Sequence, residues 1–356
     1  MIYAAVAFTI VMLCSAGYGK IKQGNTVPLA GSAVALCIFA GLRDVSFGPD
    51  LLAYRNRFLH YVPFVSYAEI VAQYKKGTMK DALFYIIMKF FSDMGCSYQF
   101  FIAALTAFYI VTITILIAKN SEKPIISFMM FMSLSWLQFS FTGLRQSLAM
   151  GLCTIALILL LNDKKSIASI ILILIAGFAH SSAWIFLIAP AVFRFGIKIE
   201  KIKFIQVTLI STAVSLLGGS IFRKVVAAIA WNDTLANYAN SEISLNWTGF
   251  IIQLCFAMVS YVFYDSTVEK DSRYISLYSL MTIGLCFQAF SSVVAEMFRI
   301  SMYFSIASIC VYPAAIKTIK RDDYKSIAFY VSVMFLIYYF FKGEKFITLH
   351  LDLLKD

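Results

Sequence analysis

The sequence predicts an all-α polytopic membrane protein with about 11–13 transmembrane helices, because apolar runs long enough to span a bilayer recur along it. Of its 356 residues, 61% are hydrophobic and only 14% are charged. A soluble domain of this length would be roughly a quarter charged. We therefore expect one transmembrane domain over residues 1–356, with segments 43–97 and 220–247 outside the membrane and partly helical.

Each sufficiently long apolar run is assigned to one span, since a helix needs about 20 apolar residues to cross the bilayer. The predicted spans are 2–18, 27–42, 98–118, 124–140, 145–162, 203–219, 248–264, 274–291, 298–316 and 325–341. The run 166–193 is too long for one ordinary span and contains His180-Ser181-Ser182. We divide it into helices 166–179 and 181–193, and one long tilted helix with a polar kink is the alternative. Segment 82–94 is short and contains Lys89, which favours an interfacial or re-entrant helix.

Basic residues orient these spans. Six short loops hold 16 of the 30 Lys and Arg residues, namely 19–26, 119–123, 163–165, 194–203, 265–273 and 317–325. The positive-inside rule places such loops in the cytoplasm, and the predicted spans put all six on one side. The net charge of +11 would suggest nucleic acid in a soluble protein. Here it is explained by the cytoplasmic loops and anionic lipid, so no nucleic-acid partner is expected.

Polar residues collect on the opposite, external face. They lie in or beside the ends of six apolar stretches, and they are Arg43, Asp50, Tyr54, Arg55, Arg57, Arg145, His180, Tyr238, Glu296 and Arg299. A charge at the centre of a bilayer costs about 3 kcal/mol on insertion scales. Because helices pack into a bundle, these groups can converge on one external cavity and compensate each other or a ligand.

Most of these residues have a structural explanation as well as a functional one. Asp50 follows a Gly48-Pro49 turn and shares a helix face with Tyr54 and Arg57, but it also suits a helix cap. Arg43 is either a snorkelling arginine or an anion clamp.

Arg145 opens a helix and opposes its macrodipole, so we expect a bound anion or a carboxylate from another helix beside it. His180 is a satisfied buried histidine or a general base. Glu296 and Arg299 are three apart and can pair.

Aromatic and amide residues of segment 220–247, including Trp231 and Tyr238, suit sugar stacking and an interfacial belt equally well. The sequence has three histidines, no H-x-x-x-H pattern and no nucleotide-binding fingerprint. We therefore expect neither a metal nor a cofactor. The cysteines lie mostly in apolar runs without C-x-x-C spacing, as expected of packing residues. Several external arginines without a nucleotide motif favour a diphosphate substrate.

The order of these motifs resembles the EpsG family of Wzy-like polysaccharide polymerases. Arg43 followed by Gly48-x-Asp50-x-x-x-Tyr54 and Phe58 resembles the first arginine signature of that family, although Pro49 and Leu51 depart from the usual residues. Four later stretches also correspond, namely Asp81-Ala-Leu-Phe84, Gly143-Leu-Arg-Gln146 with Leu148-Ala149, Ala179-His180-Ser-Ser-Ala183, and Arg299-x-x-x-Tyr303-Phe304. The resemblance extends from about residue 40 to residue 305.

The resemblance implies an O-antigen or capsule polymerase of the bacterial inner membrane, with its active site and interfacial helices facing the periplasm. Such enzymes join oligosaccharide repeat units carried on undecaprenyl diphosphate, and they usually work with a chain-length regulator. We expect Arg43, Arg145 and Arg299 to bind the diphosphate. We expect the general base to be His180, Asp50 or Glu296, and we favour His180 because imidazole ordinarily titrates near neutrality.

The sugar-binding residues are expected to be Tyr54, Arg57, Gln146, Trp231 and Tyr238.

Three other functions need similar residues. A flippase for the same lipid-linked unit would show polar residues through the membrane midplane, often in two related halves. A ligase would transfer finished polymer to a lipid acceptor. A membrane acyltransferase would need an acid beside its histidine, and His180 has no acid adjacent in sequence.

Overall fold

A computed structural model of the chain describes residues 8–14, 27–44, 48–162, 166–218, 247–294 and 296–343, with Ile221, Lys224 and Ala228. Every regular element within these residues is helical. The α-helices are α1 (8–14), α2 (Val27–Gly41), α3 (Gly48–His60), α4 (Tyr67–Lys75), α5 (Ala82–Asp93), α6 (Tyr98–Asn120), α7 (Pro124–Ser133), α8 (Trp136–Ser140), α9 (Leu144–Asn162), α10 (Ser166–Ala179), α11 (Ile188–Arg194), α12 (Lys201–Leu217), α13 (Thr248–Val262), α14 (Tyr264–Lys270), α15 (Arg273–Phe290), α16 (Met297–Ser305), α17 (Ser308–Lys317) and α18 (Asp322–Gly343). Two 3-10 helices cover Val62–Phe64 and Ser181–Leu187.

The apolar helices confirm the all-α polytopic membrane fold. Among the described residues, α6, α9 and α18 are each long and apolar enough to cross a membrane. Two further spans arise if each bent pair counts as one, with bends of 66° between α13 and α14 and 46° between α16 and α17. The remaining apolar helices, including α2, α7 and α10, are shorter.

Several long apolar runs are interrupted in the structure, the two bent pairs among them. The predicted break at His180 is confirmed, because α10 ends at Ala179 and a 3-10 helix follows from Ser181. The single span predicted over 124–140 is wrong, because α7 ends at Ser133 and α8 starts at Trp136. Between them Ser135 has φ 76°, a left-handed conformation that cannot continue an α-helix. Hydropathy does not reveal such a break.

The described residues divide into two compact units. The first contains the described parts of Met1–Leu187 and Ser326–Asp356. In it α9 packs between α6 and α10, and α2 packs on α6. The hydroxyl of Ser133 donates to the carbonyl of Leu336 at 2.9 Å, and the rings of Phe8 and Phe340 lie 4.9 Å apart. These contacts place α18 against α1 and α7.

Helices α3 to α5 form the segment that carries several candidate site residues. A capping box of Ser66 and Glu69 starts α4, which satisfies two backbone N–H groups that a helix N-terminus leaves free. The hydroxyl of Tyr98 donates to the carbonyl of Leu51 at 2.8 Å, and Phe58 stacks on Phe101 at 5.6 Å. Helix α3 is thereby held against the start of α6.

The second unit, Ile188–Lys325, contains the described parts of α11 to α17. The hydroxyl of Tyr261 contacts the backbone carbonyl of Ile199 and the Thr282 hydroxyl, which ties α13 to α15. Helices α15 and α16 approach closely at Gly284, where an added Cβ would lie 2.6 Å from the backbone nitrogen of Ser305. The hydroxyl of Ser301 donates to the carbonyl of Gly284 at 2.8 Å. Only a residue without a side chain fits this contact.

We predict that Gly284→Ala destabilises the second unit by about 1–3 kcal/mol, because the backbone of α16 has to move. Gly249→Ala is the matched control, since its Cβ would meet the amide end of the Gln288 side chain, which can rotate away. Thermal unfolding in detergent should show a clearly lower midpoint for Gly284→Ala than for Gly249→Ala. Equal midpoints would contradict the close approach of α15 and α16.

Candidate functional site

Asp81 is the residue around which polar groups of the first unit gather. It is the N-cap of α5 and has φ 59° and ψ 49°, a left-handed conformation that costs a non-glycine residue on the order of 1–2 kcal/mol. Its side chain makes no hydrogen bond to the first turn of α5, although aspartate commonly caps that turn. The carboxylate is thus available to other elements, at a cost in backbone strain.

Three donors from two other parts of the unit surround this carboxylate. Nη1 of Arg145 donates to Oδ2 at 2.8 Å, and Nδ1 of His180 lies 3.4 Å from the same oxygen. The backbone N–H of Ser181 donates to Oδ1 at 3.3 Å. Only 4% of the Asp81 side chain is exposed, against 30% for Arg145 and 18% for His180. The carboxylate therefore joins the first turn of α9 to the break that follows α10.

The charge of Asp81 compensates that of Arg145. Burial by itself raises the pKa of Asp81, but the hydrogen bond to His180, the charges of His180 and Arg145 and the N–H of Ser181 lower it, and the net shift is downward. Asp81 is therefore ionised at neutral pH. Arg145 stands at the N-terminus of α9, where a positive charge opposes the helix macrodipole. Asp81 supplies the carboxylate from another element that this placement predicts.

Tyr54 fixes the other side of the Arg145 guanidinium. Nε of Arg145 donates to the Tyr54 hydroxyl at 2.8 Å, and the guanidinium carbon lies 5.5 Å from the centre of the tyrosine ring. Tyr54 is buried and packs on Phe84, at a ring distance of 5.1 Å. With Nε and Nη1 engaged, the guanidinium plane is set, and Nη2 donates to no group among the described residues.

Arg57 is a second cation near this site. It follows Tyr54 by one turn on α3, so the two side chains share a helix face, and it is exposed. It donates to the hydroxyl of Tyr85, and its guanidinium carbon lies 5.3 Å from the centre of that ring. Tyr85 is buried one turn after Asp81 on α5. Each arginine is thus held by the hydroxyl of one tyrosine, Arg145 by Tyr54 of α3 and Arg57 by Tyr85 of α5.

Arg43 is buried and holds backbone groups together. Only 3% of the residue is exposed. Nε donates to the carbonyl of Phe141 at 3.1 Å, and Nη1 donates to the Thr106 hydroxyl at 3.0 Å and to the carbonyl of Ala40. Gln99 closes the cluster by donating to the carbonyls of Gly41 and Arg43. Within the described residues Arg43 has no carboxylate partner, and its Nη2 is buried without a hydrogen bond.

The other predicted site residues occupy varied environments. Asp50 is exposed in the first turn of α3. Gln146 is buried on α9, with Nε2 3.9 Å from the sulfur of Met150. Glu296 and Arg299 belong to the second unit, where burial raises the pKa of Glu296 against the opposing effects of a backbone hydrogen bond and Arg299. Trp231 and Tyr238 lie outside the described residues.

Sequence reasoning missed Asp81 as the centre of the site. Its partners Arg145 and His180 are 64 and 99 residues away, so no local pattern connects them. The one available signal was the resemblance of Asp81-Ala-Leu-Phe84 to the acidic start of a family helix. Among the described residues, no group of three His, Cys, Asp or Glu side chains could hold a metal ion.

Comparison with known protein families identifies the family of this chain. The sequence matches the EpsG family over residues 30–348, which is nearly the whole chain. The match includes Asp81 and its partners Arg145, His180 and Ser181, which we call the Asp81 cluster. No curated protein matches the sequence, and no solved structure matches it. The chain therefore belongs to the EpsG family, whose members are Wzy-like, polymerase-type proteins.

Proposed function

We propose that this protein polymerises a bacterial surface polysaccharide. It joins oligosaccharide repeat units carried on undecaprenyl diphosphate at the periplasmic face of the inner membrane. The growing chain moves from its carrier to the non-reducing end of a new lipid-linked unit, and a diphosphate leaves. Family membership supports the reaction class, and the observation that carries the mechanism is the shared contact of Arg145 and His180 with Asp81.

His180 is the proposed general base. When Nδ1 carries a proton and donates it to Asp81, Nε2 keeps a lone pair that can accept a proton. Asp81 thereby sets the tautomer and the orientation of the ring, as carboxylates do beside other catalytic histidines. His180 retains partial exposure, so an acceptor hydroxyl can reach it. By contrast, one carboxylate oxygen of Glu296 is buried without a hydrogen bond among the described residues, and Asp50 is exposed in the first turn of α3.

Arg145 is the proposed diphosphate-binding residue. Its Nη2 donates to no group among the described residues, and the side chain remains 30% exposed. A guanidinium whose orientation is already set loses little entropy when it binds an anion. Arg57, exposed and held by Tyr85, supplies a second positive charge. Undecaprenyl diphosphate is therefore bound through charge-assisted hydrogen bonds, and no metal ion is invoked.

The reaction is a displacement at the anomeric carbon of the donor. The acceptor oxygen bonds to that carbon while its proton passes to Nε2 of His180. The bond from the anomeric carbon to the diphosphate oxygen breaks, and the diphosphate leaves with the electron pair. Arg145 stabilises the charge that develops on the departing oxygen. Attack opposite the leaving group inverts the anomeric configuration.

Three rival functions make different demands on these residues. A flippase also needs arginines for the diphosphate, but it has no use for a histidine whose tautomer is fixed by a carboxylate. A ligase uses nearly the same chemistry and differs in its acceptor. A membrane acyltransferase needs a histidine with an acid, and Asp81 supplies that acid in space. Membership of the EpsG family weighs against the acyltransferase.

We predict that Arg145→Ala abolishes polymer while the protein still inserts into the membrane. Arg145→Lys should also fail, because lysine cannot donate to Tyr54, Asp81 and a phosphate from one plane. The measurement is an electrophoretic ladder of surface polysaccharide from a deletion strain carrying each variant. Arg55→Ala is the control, since Arg55 is exposed on α3 and donates no hydrogen bond among the described residues.

The same ladder separates the rivals. A deletion strain that displays single repeats, restored by the wild type and not by Arg145→Ala, supports the polymerase. A strain with no surface repeats indicates a flippase, and long chains retained on the carrier lipid indicate a ligase. Normal chain lengths with Arg145→Ala would refute the proposed role of the arginine.

Asp81→Asn should lower the polymerisation rate by about 10²-fold or more, a loss typical of impaired acid–base catalysis. The amide keeps the shape of the side chain but loses the charge that orients His180 and compensates Arg145. Asp93→Asn is the matched control on α5, because Asp93 pairs with Lys89 away from the Asp81 cluster. Turnover of a purified lipid-linked repeat unit, normalised to inserted protein, would measure both. Equal rates for the two variants would exclude Asp81 from the mechanism.

The stabilising effect of Asp81 should depend on pH in one direction. Its pKa is lower in the folded protein than the ordinary value of about 3.9, so its contribution is complete above pH 5 and is lost as the pH falls through the folded value. The difference in thermal midpoint between wild type and Asp81→Asn should therefore shrink as the pH falls below about 4. A difference that grows as the pH falls below that value would contradict this account.

Arg43 acts in this proposal as a positioning residue and not as a diphosphate ligand, in contrast to the sequence-based expectation. Its bond to Phe141 holds the turn that leads into α9 and Arg145. Arg43→Lys should lower the thermal midpoint, because each buried acceptor left unpaired costs about 1–3 kcal/mol. Thr106→Val removes the hydroxyl that accepts from Arg43. Because the hydroxyl's own donor group is removed with it, this substitution should lower the midpoint less than Arg43→Lys. An Arg43→Lys variant with wild-type stability but no diphosphate affinity would restore the original expectation.

A further inference from the structure

Trp184 lies against α10 in a position that only a glycine permits. A Cβ at Gly177 would lie 1.3 Å from Nε1 of the indole and 1.6 Å from its Cδ1, so any other residue there would displace the ring. Nε1 also donates to the backbone carbonyl of Leu174 at 3.4 Å. The indole is held on one side, yet Trp184 remains 43% exposed. A large aromatic surface is therefore fixed in place and open.

Two other aromatic side chains extend this surface. Phe178 meets Trp184 edge to face, with ring centres 6.0 Å apart and planes at 86°. Tyr74 of α4 meets Phe178 at 5.9 Å and 66°. Edge-to-face contacts are favourable arrangements of aromatic pairs and restrain both rings. We call Tyr74, Phe178 and Trp184 the aromatic platform.

The aromatic platform adjoins the Asp81 cluster. His180 lies between Phe178 and Trp184 in the chain, and the 3-10 helix Ser181–Leu187 follows it. Side chains three residues apart eclipse each other in a 3-10 helix, so Trp184 projects from the same face as Ser181. The backbone N–H of Ser181 donates to Asp81. At about 2.0 Å per residue, Trp184 lies roughly 8 Å along the chain from His180.

We propose that the aromatic platform stacks a sugar ring of the acceptor repeat unit beside His180. This inference rests on the proposed function, which requires an acceptor hydroxyl at His180. A hexose presents C–H groups on its ring face and hydroxyls around its edge, so it suits a surface that is aromatic in the middle and polar at one end. His180 and the exposed Ser181 supply that polar end. An acyl or prenyl chain has no groups for them.

The platform also replaces sugar contacts that were expected elsewhere. Tyr54 and Gln146, two of the predicted sugar-binding residues, are buried and present little surface to a ligand. Trp184 and Phe178 were not predicted to bind sugar, and each is 43% exposed. The alternative is that Trp184 and Phe178 are ordinary interfacial aromatics. In that case Trp184→Leu should affect binding no more than the control Phe64→Leu.

The test uses the full-length protein purified in detergent and a soluble oligosaccharide of one repeat, released by mild acid from the polymer of the strain that carries the gene. Trp184→Phe should bind this probe about as tightly as wild type. Trp184→Leu should bind it about threefold to tenfold more weakly, the range expected for the loss of one aromatic contact. Phe64→Leu is the control for an interfacial aromatic, because Phe64 is 81% exposed in the 3-10 helix Val62–Phe64.

Gly177→Ala provides a second variant that leaves Trp184 itself unchanged. It should weaken binding as much as Trp184→Leu, because the new methyl group displaces the indole. In the Trp184→Leu background, Gly177→Ala should add little, since no indole remains to be displaced. Additive effects of the two substitutions would mean that Gly177 acts by another route and would overturn the platform.

Tryptophan fluorescence measures oligosaccharide binding in a way that does not require Trp184→Leu to fold well. Binding of the oligosaccharide should change the emission of the wild type, and that change should be clearly smaller in Trp184→Phe, which keeps the other three tryptophans. An equal change in both proteins, or equal weakening by Trp184→Leu and Phe64→Leu, would overturn the inference. Loss of polymer in Arg145→Ala together with unaltered binding in Trp184→Leu would refute the platform alone. Normal polymer in Arg145→Ala would refute the proposed function as well.

Discussion

The polar site of the first unit depends on a single buried carboxylate. Asp81 occupies a strained backbone conformation, leaves its own helix uncapped and accepts from three donors of two other elements. Without it, the N-terminus of α9 would carry an arginine that opposes the helix dipole, and His180 would lose the group that orients it. The strained backbone of Asp81 is thus offset by the ion pair that its carboxylate makes with Arg145. The site forms where α5, α9 and the break after α10 meet.

Burial separates the arginines into two kinds. Arg43 is almost fully buried and donates to two main-chain carbonyls and one hydroxyl. It therefore connects α2, α6 and the turn before α9. Arg145 and Arg57 keep surface open and are steadied by tyrosines. The side chains are chemically identical, and only their surroundings decide which of them can meet an anion.

Hydropathy predicted the membrane fold, most helices and the interruption at His180, because a long apolar run and a polar triplet are local features. It could not reveal the break inside 124–140, which depends on the backbone conformation of Ser135. The site was predictable only in part. Arg145 and His180 were identified from their unusual positions, but Asp81 joins them over 64 and 99 residues. Tyr54, expected to contact sugar, packs on Phe84 and accepts a hydrogen bond from Arg145, a contact that no local sequence pattern indicates.

One oxygen atom of Asp81 serves both halves of the proposed chemistry, since Oδ2 accepts from Arg145 and lies beside His180. In the proposed chemistry, donor recognition by Arg145 and acceptor activation by His180 are consequently coupled. A substitution that repositions one of these side chains also disturbs the other. Variation among relatives that use different sugars should therefore be concentrated on surfaces outside this shared atom. If the protein acts as proposed, substitutions that redirect it toward new repeat units have the most freedom there, while the α5 N-terminus stays fixed.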